Sequence, residues 1–143
     1  MLKGIDPILG PELLHALRAM GHGDEIAIVD ANYPALTDAK RLIRADGIDA
    51  VRMVEAVLSL MPLDTFVDVA AFRMEVVDDA KKVPPICREF EKAVQKREPG
   101  FKVGTIERFQ FYERCKRAFA IVATGERRLY GNLILKKGVI RPD

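Results

Sequence analysis

Glu25-Ile26-Ala27-Ile28-Val29-Asp30 decides the fold. The run is short, apolar between its ends and partly β-branched, as a strand covered on both faces must be. A helix precedes it. Pro11 suits a first helical position, where the backbone N–H has no partner, and Leu13, Leu14, Leu17 and Met20 recur at helical spacing. Gly21 reads as the residue that ends this helix. A helix feeding a buried strand implies an α/β protein.

The rest of the chain repeats the alternation. Arg41-Leu42-Ile43-Arg44 reads as a second short strand, with a turn at Asp46-Gly47. A helix follows from about Ile48 to Met61, with Val51, Val54, Leu58 and Met61 inward, and Pro62 stops it. Thr65 to Val69 and Ala71 to Val77 read as extended, joined by a bend. After the polar loop from Asp78-Asp79 to Pro84-Pro85, a helix to about Arg97 turns Ile86, Phe90 and Val94 inward. Val103 to Glu107 reads as a strand, Phe109 to Arg117 as a helix, and Ala118 to Ala123 and Leu133 to Leu135 as strands. Lys136-Lys137-Gly138 reads as exposed. There is no repeat or linker, so residues 1–143 form a single domain.

Composition narrows the function. The chain is 49% hydrophobic and 31% charged, as a globular protein is, and no apolar run reaches the length of a membrane span. Met1 to Asp6 lacks signal-peptide anatomy, so a cytoplasmic location is expected. Cys87 and Cys115 are distant and read as free thiols. Two His and two Cys make a structural zinc site improbable. A net charge of +2 argues against nucleic acid or an anionic membrane as partner. Gly21-His22-Gly23 is no dinucleotide fingerprint, because it leads from helix into strand and Ile26 stands where the third glycine belongs.

Six segments, in order, resemble the sugar mutarotase family, which has a fucose branch and a ribose (pyranase) branch. They are Met20-Gly-His22-Gly-Asp24-Glu-Ile, Asp30-Ala-Asn-Tyr-Pro34, Ile43-Arg-Ala-Asp-Gly47, Glu107-Arg-Phe-Gln-Phe-Tyr-Glu113, Ala123-Thr-Gly-Glu126, and Leu129-Tyr-Gly-Asn132 with Lys136-Lys-Gly138 after it. The resemblance spans essentially the whole chain. It is closer to the fucose branch, because Arg108 stands where the ribose branch usually has histidine. It implies a three-layer α/β/α subunit with a mixed central sheet, no cofactor or metal, and a ring-shaped homo-oligomer, decameric in family members, with sites between subunits. The activity implied is interconversion of the α and β anomers of a free reducing sugar such as L-fucose. The alternatives are a ring-form isomerase of the D-ribose pyranase type and a monosaccharide-binding protein without turnover.

Mutarotation moves two protons: one leaves the anomeric hydroxyl and one reaches the ring oxygen as the hemiacetal opens. That needs a group able to give and take protons near neutral pH, and imidazole, with an ordinary pKa of about 6.5, suits it. His22, between two glycines, is the candidate, against the plain reading of a surface histidine in a turn; His15 falls on the polar side of its helix. By resemblance Asp30, Arg108, Tyr130, Gly131 and Asn132 bind the sugar. Tyr130 is a second candidate for protonating the ring oxygen. The plain alternatives are an Asx-type turn for Asp30, a surface ion pair with Glu107 or Glu113 for Arg108, and an ordinary turn for Tyr130-Gly131-Asn132. Tyr112 reads either as a stacking surface or as core. One difficulty is geometric: a straight strand from Asp24 to Asp30 spans about 20 Å at ~3.3 Å per residue, too far for one monosaccharide. Either this segment bends, or His22 and Asp30 meet across neighbouring subunits.

Overall fold

A computed structural model describes all 143 residues. Six strands form one sheet: β1 (Glu25–Val29), β2 (Leu42–Ala45), β3 (Ala71–Met74), β4 (Val103–Ile106), β5 (Ala120–Thr124) and β6 (Leu133–Lys136). Their order is β2-β5-β1-β6-β3-β4. β2, β5 and β1 are parallel, as are β3 and β4, while β6 runs antiparallel to β1 and β3. The sheet is mixed, and β1 lies near its centre with Ile26 to Val29 fully buried.

Five helices cover the two faces: α1 (Pro11–Ala19), α2 (Ala35–Asp38), α3 (Ala50–Leu58), α4 (Pro85–Arg97) and α5 (Arg108–Arg117). On one face Leu13, Leu17, Met53, Val54, Phe90 and Val94 of α1, α3 and α4 pack against Ile26, Ile28, Val122, Leu133 and Leu135. On the other, Ala35, Phe111 and Cys115 of α2 and α5 pack against Ala27, Val29, Ile121, Ala123 and Ile134. The strict alternation along β1 and β6 serves both layers. Each fully buried Leu, Ile, Val or Phe contributes on the order of 1.5–3 kcal/mol of hydrophobic stabilisation. Asp49 caps α3 by accepting from the Arg52 N–H at 2.9 Å, and Glu107 caps α5 by accepting from the Gln110 N–H at 3.1 Å.

Three readings change. Thr65 to Asp68 is not a strand. It is an exposed bend, and the only pairing there is a bridge between Leu63 and Lys137. Gly21 does not end α1 in a left-handed conformation; Met20 does so in an extended one, and the left-handed glycine is Gly23, with φ of 85°. Nor is Lys136-Lys137-Gly138 simply exposed. Gly138 is buried, and the Lys137 ammonium donates to the carbonyls of Leu17 and Met20 at 2.7 and 2.6 Å, satisfying the end of α1. Burial there holds the Lys137 pKa below its ordinary value. The one-turn helix α2 was too short to leave a periodic signal.

Candidate functional site

The C-terminal end of β1 gathers the predicted residues. Asp30 follows β1, Asn132 precedes β6, Met74 ends β3 and Arg108 opens α5. With Asn32, Tyr33, Val77, Tyr112, Leu129 and Tyr130 they line a cavity of about 200 Å³.

Asp30 and Asn132 clamp each other. The Asp30 N–H donates to Asn132 Oδ1 at 2.8 Å, and Asn132 Nδ2 donates to Asp30 Oδ2 at 3.1 Å. The Asn32 N–H donates to Asp30 Oδ1 at 2.9 Å. Asp30 therefore does make the Asx-type turn, but it also faces the cavity with only 5% of its surface exposed. Burial pushes its pKa above the usual carboxylate value, against the pull of these N–H donors.

Tyr130 is one of two non-glycine residues with positive φ, at 64°. Such a conformation persists only where the surroundings hold it. Here the Tyr130 hydroxyl accepts from the Val77 N–H at 3.1 Å. Behind the turn, a Cβ on Gly131 would meet Glu126 Cγ at 2.8 Å and Ile86 Cδ1 at 3.0 Å, so only glycine fits. Glu126, itself buried, accepts from the Arg128 N–H, Nε and Nη2 at 3.0, 3.0 and 3.1 Å, and these bonds lower its pKa.

Arg108 makes no surface ion pair. Glu113 binds Lys116 and Glu107 caps α5, while the Arg108 guanidinium stacks over Phe109 at 4.5 Å. Its Nε is buried with no hydrogen-bond partner. Tyr112 is half-buried, packs against the Tyr33 ring at 5.3 Å and forms part of the cavity wall, so both of its readings hold in part.

His22 is elsewhere. β1 pairs regularly with β5 and β6 along its length and has no bulge, so it does not bend to bring the two ends together. His22 sits beyond the opposite end of β1 with its side chain 42% exposed. Its Nε2 lies 2.9 Å from Asp64 Oδ1, and its ring is 5.0 Å from Phe66. Asp64 is almost wholly buried. The Phe66 N–H, donating at 3.0 Å, and His22 hold its pKa below the ordinary value. An ionised Asp64 requires the proton on His22 Nε2 and leaves Nδ1 as the free nitrogen. Asp64 lies 42 residues from His22 and carries little local signal, only a carboxylate two residues after the helix-stopping Pro62. No three His, Cys, Asp or Glu side chains come together in a way that could hold a metal ion.

Comparison with known proteins bears on the family and the fold. Residues 3–140 match the model of the RbsD / FucU transport protein family. A human protein named fucose mutarotase is 49% identical over 97% of this chain and 94% of its own length. An L-fucose mutarotase of Haemophilus influenzae is 44% identical over 97% of each. Among solved structures, the fucose mutarotase of Streptococcus pneumoniae in complex with L-fucose superposes with a TM-score of 0.92 at 44% identity, over 98% of this chain and 100% of that one. RbsD of Bacillus subtilis shares the fold, with a TM-score of 0.75 at 22% identity over 99% of this chain and 100% of that one.

Proposed function

The chain belongs to the RbsD / FucU transport protein family, and from that premise we propose that it interconverts the α and β anomers of L-fucose through the open-chain aldehyde, with His22 as acid/base group and the Asp30 cavity as sugar seat. One observation carries this reading. The cavity brings together a buried carboxylate, a buried amide and an arginine that pairs with no carboxylate, a set suited to a neutral polyol.

In that seat Asp30 accepts from sugar hydroxyls while Asn132 holds it in place. The Arg108 guanidinium donates to a sugar oxygen, Gly131 lets the backbone approach, and Tyr130 offers its hydroxyl to the ring oxygen. His22 Nδ1 takes the proton of the anomeric hydroxyl. The imidazolium so formed is steadied by Asp64, and it returns a proton when the ring closes on the other face. No redox carrier is required by this chemistry.

Because β1 holds His22 and Asp30 at its two ends, a complete site takes His22 from a neighbouring copy. Around the cavity lie Glu75, Asp78, Asp79 and Glu107, with exposed Val77, Phe109 and Leu129. Around His22 lie Phe66, with the Arg141 guanidinium 5.5 Å from its ring, and Lys136, whose side chain passes beside Gly23. Head-to-tail contact of such ends closes into a ring when the rotation permits, as in a decameric assembly.

The test is proton saturation-transfer NMR of L-fucose at catalytic protein concentration, with D-ribose in parallel. Faster exchange between the fucose anomers is expected. Acceleration of ribose alone would move the reading to a pyranase, and no acceleration of either would leave sugar binding without turnover. Co-expressing His22→Ala with Asp30→Ala chains tests the shared site. Each variant alone is inactive, whereas mixed rings regain about a quarter of the sites if neighbours contribute one residue each. No recovery would place the whole site in one subunit.

A further inference from the structure

The segment Ala123-Thr124-Gly125-Glu126, at the end of β5, has no part in the mechanism above. Neither Glu126 nor Arg128 lines the sugar cavity. Yet Glu126 is 4% exposed and every polar atom of it is engaged. Its Oε1 accepts from the Arg128 N–H and Nε, each at 3.0 Å. Its Oε2 accepts from Arg128 Nη2 at 3.1 Å and from the Ala50 N–H, at the start of α3, at 3.4 Å. Its carbonyl accepts from the Ala31 N–H, next to Asp30, at 2.9 Å. Its own N–H donates to Thr124 Oγ1 at 3.2 Å, and that hydroxyl donates to the Val29 carbonyl at 2.7 Å. The Arg128 guanidinium also pairs with Glu89 of α4.

These bonds converge on one short turn. Residues 125–132 join β5 to β6, and Tyr130 and Asn132 stand on that connection. Its conformation is not one it would hold by itself, because Tyr130 sits at a φ of 64°, which a non-glycine residue keeps only when its surroundings impose it. Glu126 grips the turn on both sides of Tyr130: it binds Arg128 by hydrogen bonds, and Gly131 packs on its Cγ too closely to admit a Cβ. We propose that the Glu126–Arg128 pair is a positioning device. It holds Tyr130 and Asn132 in their binding arrangement before the sugar arrives, and so sets KM rather than kcat, given the sugar-binding reading of the Asp30 cavity on which this rests.

The physical basis is a population. A turn that is in its binding form for only part of the time binds sugar more weakly by that fraction, while the complex, once formed, is the same. Without the pair, Tyr130 is free to return to an ordinary negative φ, which draws its hydroxyl off the Val77 N–H and shifts Asn132 from Asp30. His22 lies beyond the far end of β1 and shares no hydrogen bond with the pair, so proton transfer in the occupied site is unaffected. The hold lies on the buried side of Arg128. There its planar fork meets both oxygens of one carboxylate, whereas Arg128 and Glu89 are both half-exposed and water weakens their attraction.

The experiment measures kcat and KM for L-fucose anomer exchange by saturation-transfer NMR, and Kd by titration calorimetry. It uses the full-length protein and the variants Arg128→Ala, Arg128→Lys and Glu89→Gln, all at half-exposed positions outside the cavity. Arg128→Ala is expected to raise KM and Kd together by about 5- to 20-fold and to keep kcat within about twofold. Arg128→Lys keeps the charge but not the fork, so its KM should fall between the two. Glu89→Gln should leave both constants within about twofold. A merely structural Arg128 would lower the folded fraction, and with it the apparent kcat, at unchanged KM. That outcome, or no change at all in Arg128→Ala, would overturn the positioning role and leave the mutarotase reading intact. So would a Glu89→Gln effect as large as that of Arg128→Ala, which would move the hold to α4. Fucose binding without turnover in the unaltered protein would overturn the mutarotase reading, and the Kd comparison would then decide the positioning role. No binding of fucose at all would overturn both.

Discussion

The two ends of β1 are built differently. At the Asp30 end a carboxylate, an amide and a left-handed tyrosine are tied together by hydrogen bonds from three separate stretches of chain, with a tightly packed glycine between the last two. At the other end His22 sits on a two-glycine turn, half exposed, held by Asp64 and by contact with Phe66. Binding hydroxyls demands fixed donors and acceptors, whereas exchanging protons demands a group that remains accessible. On the proposed reading the first end is the receptor and the second the reactive group, and neither is sufficient alone.

The sharpest way to break this division is His22→Ala. Anomer exchange should fall by about 10²- to 10⁴-fold, the range of general acid/base catalysis, while sugar affinity and assembly stay intact. Loss of affinity instead would show that the exposed end also binds.

Asp30→Asn should act in the opposite sense, weakening sugar affinity by about 10- to 100-fold, the worth of a charge-assisted hydrogen bond. The added amide must also turn a donor towards either Asn132 Nδ2 or the Asn32 N–H. Titration calorimetry with L-fucose measures this. A pH series sharpens it. The Asp30 pKa is raised by burial, so affinity should begin to fail, as pH drops, above the usual carboxylate range. Stability runs the other way at this residue: a raised carboxyl pKa favours the folded state at low pH, and that contribution fades as pH rises through it. Asp64 and Glu126 have lowered values, so they stabilise above the unfolded carboxylate pKa and lose that contribution as pH falls.

Asp64→Asn should lower kcat about tenfold and leave KM nearly unchanged. The amide oxygen still accepts from His22 Nε2, but the charge that steadies the imidazolium is gone. An unchanged kcat would reduce Asp64 to a loop anchor. The smallest effect is expected at Gly131→Ala, about 1 kcal/mol of stability from overpacking against Glu126 and Ile86, read by denaturant unfolding.

Much of the frame was legible in one dimension. The apolar run Ile26 to Val29, the helical spacing of Leu13 and Leu17, and the stops at Pro62 and Pro99-Gly100 are local signals, and the elements follow them. Where an apolar stretch lacked partners, as at Thr65 to Asp68, composition alone misled, since a strand exists only by pairing. His22 and Asp30 could be singled out because local pattern and family resemblance marked them. Asp64 could not, because its significance lies in what it faces.

The amino-acid sequence by itself determined the α/β alternation, the buried central strand, and the residue types that bind hydroxyls and exchange protons. These depend on spacing of a few residues, which side-chain periodicity encodes directly. Only the tertiary structure decided that Asn132 clamps Asp30 across 102 residues, that Asp64 claims one nitrogen of His22, and that a straight β1 keeps His22 and Asp30 apart. Those are contacts between distant segments, and they arise only when the sheet order and the packing of both helical layers bring the segments together.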